Sequence, residues 1–172
     1  MQLYGFYWLI SLTELQGLVI RKAEPPDISQ IMQINLETLP ENYPEYFFRE
    51  IYDRYEKAFF VAETEGKVIG YIMCRMEGGI SNFGLRWTRR GHIVSIAVLP
   101  AFRRQGIASE LVNNSMKALK TEYNAKEVIL EVRVTNLAAI RLYDTLGFSR
   151  IRTLHAYYRN GEDAQLMAYK FE

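Results

Sequence analysis

An apolar run from Ile93 to Leu99 leads directly into Pro100-Ala101-Phe102-Arg103-Arg104-Gln105-Gly106-Ile107-Ala108, and an amphipathic helix begins at once. A chain built this way has to carry a buried strand that ends, through a tight basic turn, at a helix N-terminus. Such a turn aims unpaired backbone N–H groups, the positive end of a helix dipole and two guanidinium groups at one point, which makes a seat for a pyrophosphate. Gly106 lets the backbone approach an anion closely, and Ala108 keeps the first helical turn slim. The stretch is not a Walker loop, which ends Gly-Lys-Ser/Thr, nor the Gly-x-Gly-x-x-Gly of dinucleotide folds. By itself it also fits an ordinary basic strand-to-helix turn.

The 172 residues, 49% apolar and 24% charged, suffice for one full core, so a single domain is expected over residues 18–172. A net charge of +1 argues against nucleic acid as the primary ligand. Cys74 is the only cysteine, which excludes an intrachain disulfide and a cysteine zinc cluster and fits a reducing, cytoplasmic setting. It lies in the alternating run from Val68 to Cys74 and reads as a packed thiol rather than a nucleophile. Residues 1–17 are aromatic and apolar, yet too short for a membrane span and without the flanks of a signal peptide. They read as an N-terminal extension of undecided role, and no membrane association is expected.

Along the chain, Leu18 to Ala23 reads as a strand stopped by Pro25-Pro26. Asp27 with Gln30 makes a cap pair for a helix presenting Ile28, Ile31, Met32 and Leu36 on one face. Pro40 and Pro44 fix a loop, and an aromatic helix follows from Glu45 to Lys57. Ala58 to Thr64 and Lys67 to Met76 form a hairpin about Glu65-Gly66. The glycine- and arginine-rich stretch Glu77 to Arg90 reads as an exposed loop. Then come a strand (Gly91 to Leu99), a helix (Arg104 to Tyr123), a strand (Glu127 to Val134), a helix capped by Asn136 and ended at Gly147, and two closing strands (Phe148 to His155, Ala164 to Phe171). The order predicts an α/β (α+β) fold, a mixed sheet in one domain.

Five segments together carry a family resemblance: Leu39-Pro40-Glu41-Asn42-Tyr43, the strand Gly91 to Val98, Arg103 to Ala108, Leu130-Glu131-Val132-Arg133-Val134-Thr135-Asn136, and Tyr157-Tyr158-Arg159-Asn160-Gly161-Glu162-Asp163-Ala164. From about Val19 onward the chain resembles the GNAT acetyltransferases, and within them the protein N-terminal (Nα) acetyltransferases, most of all catalytic subunits of the archaeal type. The resemblance implies the GNAT fold: one mixed, mostly antiparallel sheet of about seven strands, flanked by four helices, with a splay between the two central strands. It implies acetyl-CoA as cosubstrate, with Ile96, Ala97 and Val98 along the pantetheine arm and Arg103, Arg104, Gln105, Gly106, Ile107 and Ala108 on the pyrophosphate. Asn136 would touch the cosubstrate as well as cap its helix. Tyr143 would protonate the leaving thiolate; its plainer reading is a core tyrosine.

The acceptor amine is mostly protonated at neutral pH, because a peptide α-amino group has a pKa of about 8, so a base is required. His92 and Glu131 are the candidates. Glu131 is a charge in a strand that otherwise reads as buried, so it either faces a partner or pairs with Arg133 at the surface. Two such ligands make a weak metal site, and no metal is expected. The resemblance implies peptide recognition by Leu39, Pro40, Glu41 and Tyr43 on one side of a groove and Tyr157 and Tyr158 on the other, with Glu162 and Asp163 fixing the second turn. The implied activity is acetyl transfer to protein N termini with Ser-, Ala- or Met-type starts, by direct attack in a ternary complex. The alternatives are transfer to a small-molecule amine or a lysine side chain, or a binding module that keeps the seat only as scaffold. The implied partners are N termini of nascent or finished proteins, with a ribosome or auxiliary subunit. Arg86, Arg89, Arg90, Arg150, Arg152 and Arg159 read as either a ribosomal contact or a solvated face.

Overall fold

The computed structural model describes residues 17–172, so the extension expected over 1–17 lies outside the described residues apart from Gly17. In chain order the elements are β1 (Val19–Lys22), α1 (Ile28–Thr38), α2 (Glu45–Tyr55), β2 (Phe60–Thr64), β3 (Lys67–Ile80), β4 (Trp87–Val98), α3 (Ile107–Thr121), β5 (Glu127–Arg133), α4 (Leu137–Thr145), β6 (Ser149–Leu154) and β7 (Ala164–Lys170). The strands form one seven-stranded sheet in the order β1-β2-β3-β4-β5-β7-β6. Every neighbouring pair is antiparallel except β4 with β5. That is the mixed sheet flanked by four helices that the sequence predicts.

Both faces of the sheet are covered, which is why β3 is buried almost continuously from Val68 to Cys74. Ile72, Ile93, Val98 and Leu130 pack against Ile107, Leu111 and Leu119 of α3 on one face. Tyr71, Met73 and Ala97 pack against Ile31, Phe48 and Ile51 of α1 and α2 on the other. Cys74 is fully buried, and burial pushes its thiol up to about 12. Among the described residues no helix is long and apolar enough to cross a membrane.

Four local expectations are corrected. Glu77 to Arg90 is not a loop: β3 runs on to Ile80, β4 starts at Trp87, and the turn is confined to residues 81–86. The glycines make room for cross-strand side chains instead of breaking the strand. A Cβ on Gly78 would lie 2.6 Å from the Trp87 ring, and one on Gly79 2.9 Å from the Arg90 guanidinium carbon. Ser81 Oγ donates to Glu127 across the turn at 2.7 Å, and Asn82 Nδ2 at 3.1 Å, which holds the tip.

In α1 the inward face carries Ile28, Ile31, Ile34 and Asn35, while Leu36 is 71% exposed. Asp27 does not cap with Gln30. Its carboxylate takes Arg21 in two bonds of 2.7 and 2.9 Å, and Gln30 Oε1 accepts from Val68 N. Finally, α3 begins at Ile107 rather than Arg104, because Arg104 (φ +64°) and Gly106 (φ +79°) are left-handed. These residues turn the chain before the helix can start.

The feature that positions everything else is the seam between β4 and β5. It is paired only at Arg90–Glu127, Gly91–Val128 and His92–Ile129. Beyond that β4 follows β3, β5 follows β7, and the two part. On β4 the residue pairs step from Ile93–Cys74 to Ser95–Met73, so Val94 is a surplus residue two positions beyond the last pair with β5. Such a bulge bends its strand and raises local twist, which carries β4 away from β5.

Candidate active site

Two cavities open from this gap. The first, of about 500 Å³, lies between the end of β4, the start of α3 and α4. Ile96, Ala97, Val98, Arg103, Arg104, Gly106, Ile107, Ala108, Asn136 and Tyr143 all line it, whereas Gln105 is exposed and absent from the wall. Leu99 N donates to Ile69 O at 2.9 Å, so the alternation of the ladder turns the backbone groups of Ile96 and Val98 toward the gap. Ala97, one step out of phase, spends its backbone on β3. Arg103 Nε donates to Val98 O at 2.9 Å and closes the strand end.

No side chain caps α3, so the N–H groups of its first turn lack partners within the helix and border the cavity. A 15-residue helix presents its dipole there. Gly106 has nothing within 4 Å of a notional Cβ, so the way in is clear. The arrangement suits an anion bearing several oxygens, beside a channel of unpaired strand amides.

The second cavity, of about 310 Å³, lies on the α1/α2 face and contains Leu39, Pro40, Glu41, Tyr43, Tyr157 and Tyr158 together with His92 and Glu131. The two cavities share Leu39, Ile96, Asn136, Ala139 and Tyr143, so they meet at the gap. Tyr143 is a core residue by burial, edge-on to Phe148 at 5.6 Å, and is also the wall between the cavities. Burial raises its phenol far above the usual range, which keeps it protonated. Tyr143 is thus a core tyrosine that also faces both cavities. Asn136 caps α4, its Oδ1 accepting from Ala139 N at 3.1 Å.

Glu131 does find a partner, and it is His92 rather than Arg133. His92 Nε2 lies 2.7 Å from Glu131 Oε2, and Nδ1 lies 2.7 Å from Glu77 Oε1. Burial works against the imidazolium, but the two carboxylates outweigh it and raise the His92 pKa. Bonding to His92 draws Glu77 down to about 2. Glu77 is not among the residues expected from the sequence, because Glu77 to Arg90 reads there as a loop whereas the structure makes it strand. The available signal was a lone acid alternating with Arg75 beyond an apolar strand.

Arg133 has another task. It donates to Glu41 and to Glu162, and its guanidinium carbon sits 3.9 Å over the Tyr158 ring. It thereby ties the α1–α2 loop to the β6–β7 turn across the groove. Glu41, read as facing the substrate, is held by this brace. Glu162 also accepts from Thr135 Oγ1, and Asp163 accepts from Ala156 N at 2.8 Å. Both acids fix the turn. Tyr43 stacks on Phe47 at 4.7 Å. Burial, with Glu131 nearby, pushes Tyr157 up to about 12, and burial raises Tyr158 further. Of the arginines read as a surface group, Arg90 reaches Glu77 and Arg150 pairs with Asp144.

The family model for the GNAT acetyltransferases matches residues 28–148. An N-alpha-acetyltransferase of Sulfurisphaera tokodaii is 56% identical over 151 residues, covering 87% of this chain and 90% of that protein. One from Saccharolobus solfataricus is 53% identical over 155 residues, covering 89% and 93%. Among solved structures, the NatC complex bound to Gag peptide and CoA contains a chain that superposes with a TM-score of 0.81 at 26% identity, covering 91% of this chain and 99% of that one. With the parted strands, the uncapped helix and the paired cavities, these likenesses place the chain in the GNAT acetyltransferase family, among the N-alpha-acetyltransferases.

Proposed function

We propose that the chain transfers the acetyl group of acetyl-CoA to the α-amino group of protein N termini, by direct attack in a ternary complex. The observation that carries this reading is the meeting of the two cavities at the strand gap, with the His92–Glu131 pair in the second cavity and Tyr143 between them. In this reading the first cavity takes acetyl-CoA. Its pyrophosphate rests on the Arg103–Ala108 turn, with Gln105 contributing backbone only. The N–H groups of Ile96 and Val98 serve the pantetheine amides and the thioester oxygen, a donor of that kind being worth about 3–4 kcal/mol in comparable sites.

The peptide enters from the other side, between the Leu39–Tyr43 loop and Tyr157–Tyr158. Its ammonium sheds two protons overall, one to solvent and one ending on the thiol. Glu131, held by His92, takes the proton released as nitrogen bonds carbon, and Tyr143 protonates the departing sulfur. Cys74 has no part in this, because its thiol is buried and mostly un-ionised at neutral pH. The test is incubation with acetyl-CoA and peptides beginning Ser, Ala or Met-Leu, each with an internal lysine. Mass spectrometry should find acetyl on the α-nitrogen alone. Acetyl on lysine only, or turnover only of small amines, would replace the proposal.

Arg104→Ala should raise the KM for acetyl-CoA about tenfold with kcat within about twofold, because a pyrophosphate contact binds ground and transition states alike. Both residues are equally strained at this φ, so the difference reports the guanidinium. An unchanged KM counts against the seat. Glu41→Val frees one arm of the Arg133 brace and should alter which first residues are accepted; an unaltered ranking across a peptide panel removes that role. We further read residues 18–172 as one acetyltransferase domain with 1–17 as its extension, and propose that it modifies proteins in the cytoplasm, with a ribosome or an auxiliary subunit as partner.

A further inference from the structure

Glu77 touches neither cavity, yet it is bonded to the residue at the centre of the second. Its Oε1 lies 2.7 Å from His92 Nδ1 and also accepts from Arg75 Nε at 2.8 Å and Nη2 at 2.6 Å. Its Oε2 lies 3.5 Å from Arg90 Nη2. We propose that Glu77 is a positioning residue for acetyl transfer: it anchors Nδ1 of His92, fixes the ring and holds it as the cation, so that Glu131 alone receives the proton from the substrate amine. The inference rests on the transferase reading above and adds a residue to its machinery.

The geometry demands this division of labour. A neutral imidazole has one N–H, so with a carboxylate 2.7 Å from each nitrogen it would press a lone pair against one of them. Only the cation donates at both ends. Around the ring stand Glu77 and Arg75 from β3, Arg90 on β4 and Glu131 from β5, with the phenols of Tyr43 and Tyr157 in the same groove. Arg75 adds two donors to Oε1 and Arg90 a longer contact to Oε2, and these hold the Glu77 carboxylate in place. The raised His92 pKa and the depressed Glu77 pKa agree with a fixed ion pair. Outer partners of this kind orient a reactive imidazole without touching substrate.

The chain has two histidines, so the ring proton resonances of His92 and His155 can be followed separately by NMR, with a His155→Asn variant assigning them. Glu77→Gln should lower the His92 midpoint by about one pH unit, a tenfold loss of proton affinity. It should lower kcat at pH 7 about tenfold or more while both KM values stay within about twofold. Glu77→Asp, which restores the charge, should recover part of the midpoint and of kcat. Should the Gln variant fail to fold, the Asp variant still reads the proposal through a midpoint and a kcat between those expected. An unmoved His92 midpoint in a folded variant overturns the idea, as does lost activity without a midpoint shift. The midpoints are read on the protein alone, so failure to acetylate peptides would remove the transferase reading and leave this measurement standing.

Discussion

Glu131→Gln is expected to lower kcat for peptide acetylation by about 10²- to 10³-fold, with the KM for acetyl-CoA within about twofold. The amide keeps the volume and can still accept a bond from His92 Nε2, so what is lost is the basic oxygen together with one of the two charges that favour the His92 cation. The residual activity should rise with pH through about 8, following the fraction of free amine, since the substrate must then arrive already deprotonated. Because the two side chains are 2.7 Å apart and act as one unit, removing both should cost no more than the worse single change. A Gln variant with near-normal kcat would remove Glu131 from the chemistry. A double variant showing the product of the single losses would show that the two side chains contribute independently rather than as one unit.

Tyr143→Phe is expected to cost about 10² in kcat at pH 7, with the loss shrinking toward pH 9. A thiol such as a free cysteine has a pKa of about 8.5, so the departing sulfur needs a donor less as the medium becomes alkaline. Phenylalanine fills the same space and keeps the edge-on contact with Phe148, so Tm should move little. Activity unchanged across that pH range would reduce Tyr143 to a wall. A large fall in Tm would point to packing instead of proton donation.

The sequence was most legible where several physical demands fell on the same residues. Ile93 to Ala108 had to be strand, then turn, then helix, and Gly106 stands left-handed at the helix start. Glu131 among Val128, Ile129, Leu130 and Val132 could not be left without a partner, and His92 faces it. Chain order, hairpin turn and the Asn136 cap followed from local chemistry in the same way.

Less legible were features set by partners distant in sequence. Gly78 and Gly79 looked like loop residues because the ring and guanidinium that lie over them arrive from β4. Glu77 lies in the same disguised strand, and with it half of the support of His92. Leu36 and Ile34 traded places because α1 is oriented by Tyr71, whose hydroxyl Asn35 reaches at 3.0 Å, as well as by its apolar stripe. Arg133 gave no sign that it bridges residues 92 and 29 positions away.

Val94 has a consequence for how such an architecture is maintained. Ile93 already faces the α3 side, and Ser95 already meets Tyr71 on the opposite side, as an uninterrupted ladder would have them. Excising Val94 would therefore straighten the strand without inverting any neighbour, and the seam would be free to zip shut. The whole reaction chamber hangs on one supernumerary link in the backbone, and a shortened chain could stay well folded while having nowhere to work.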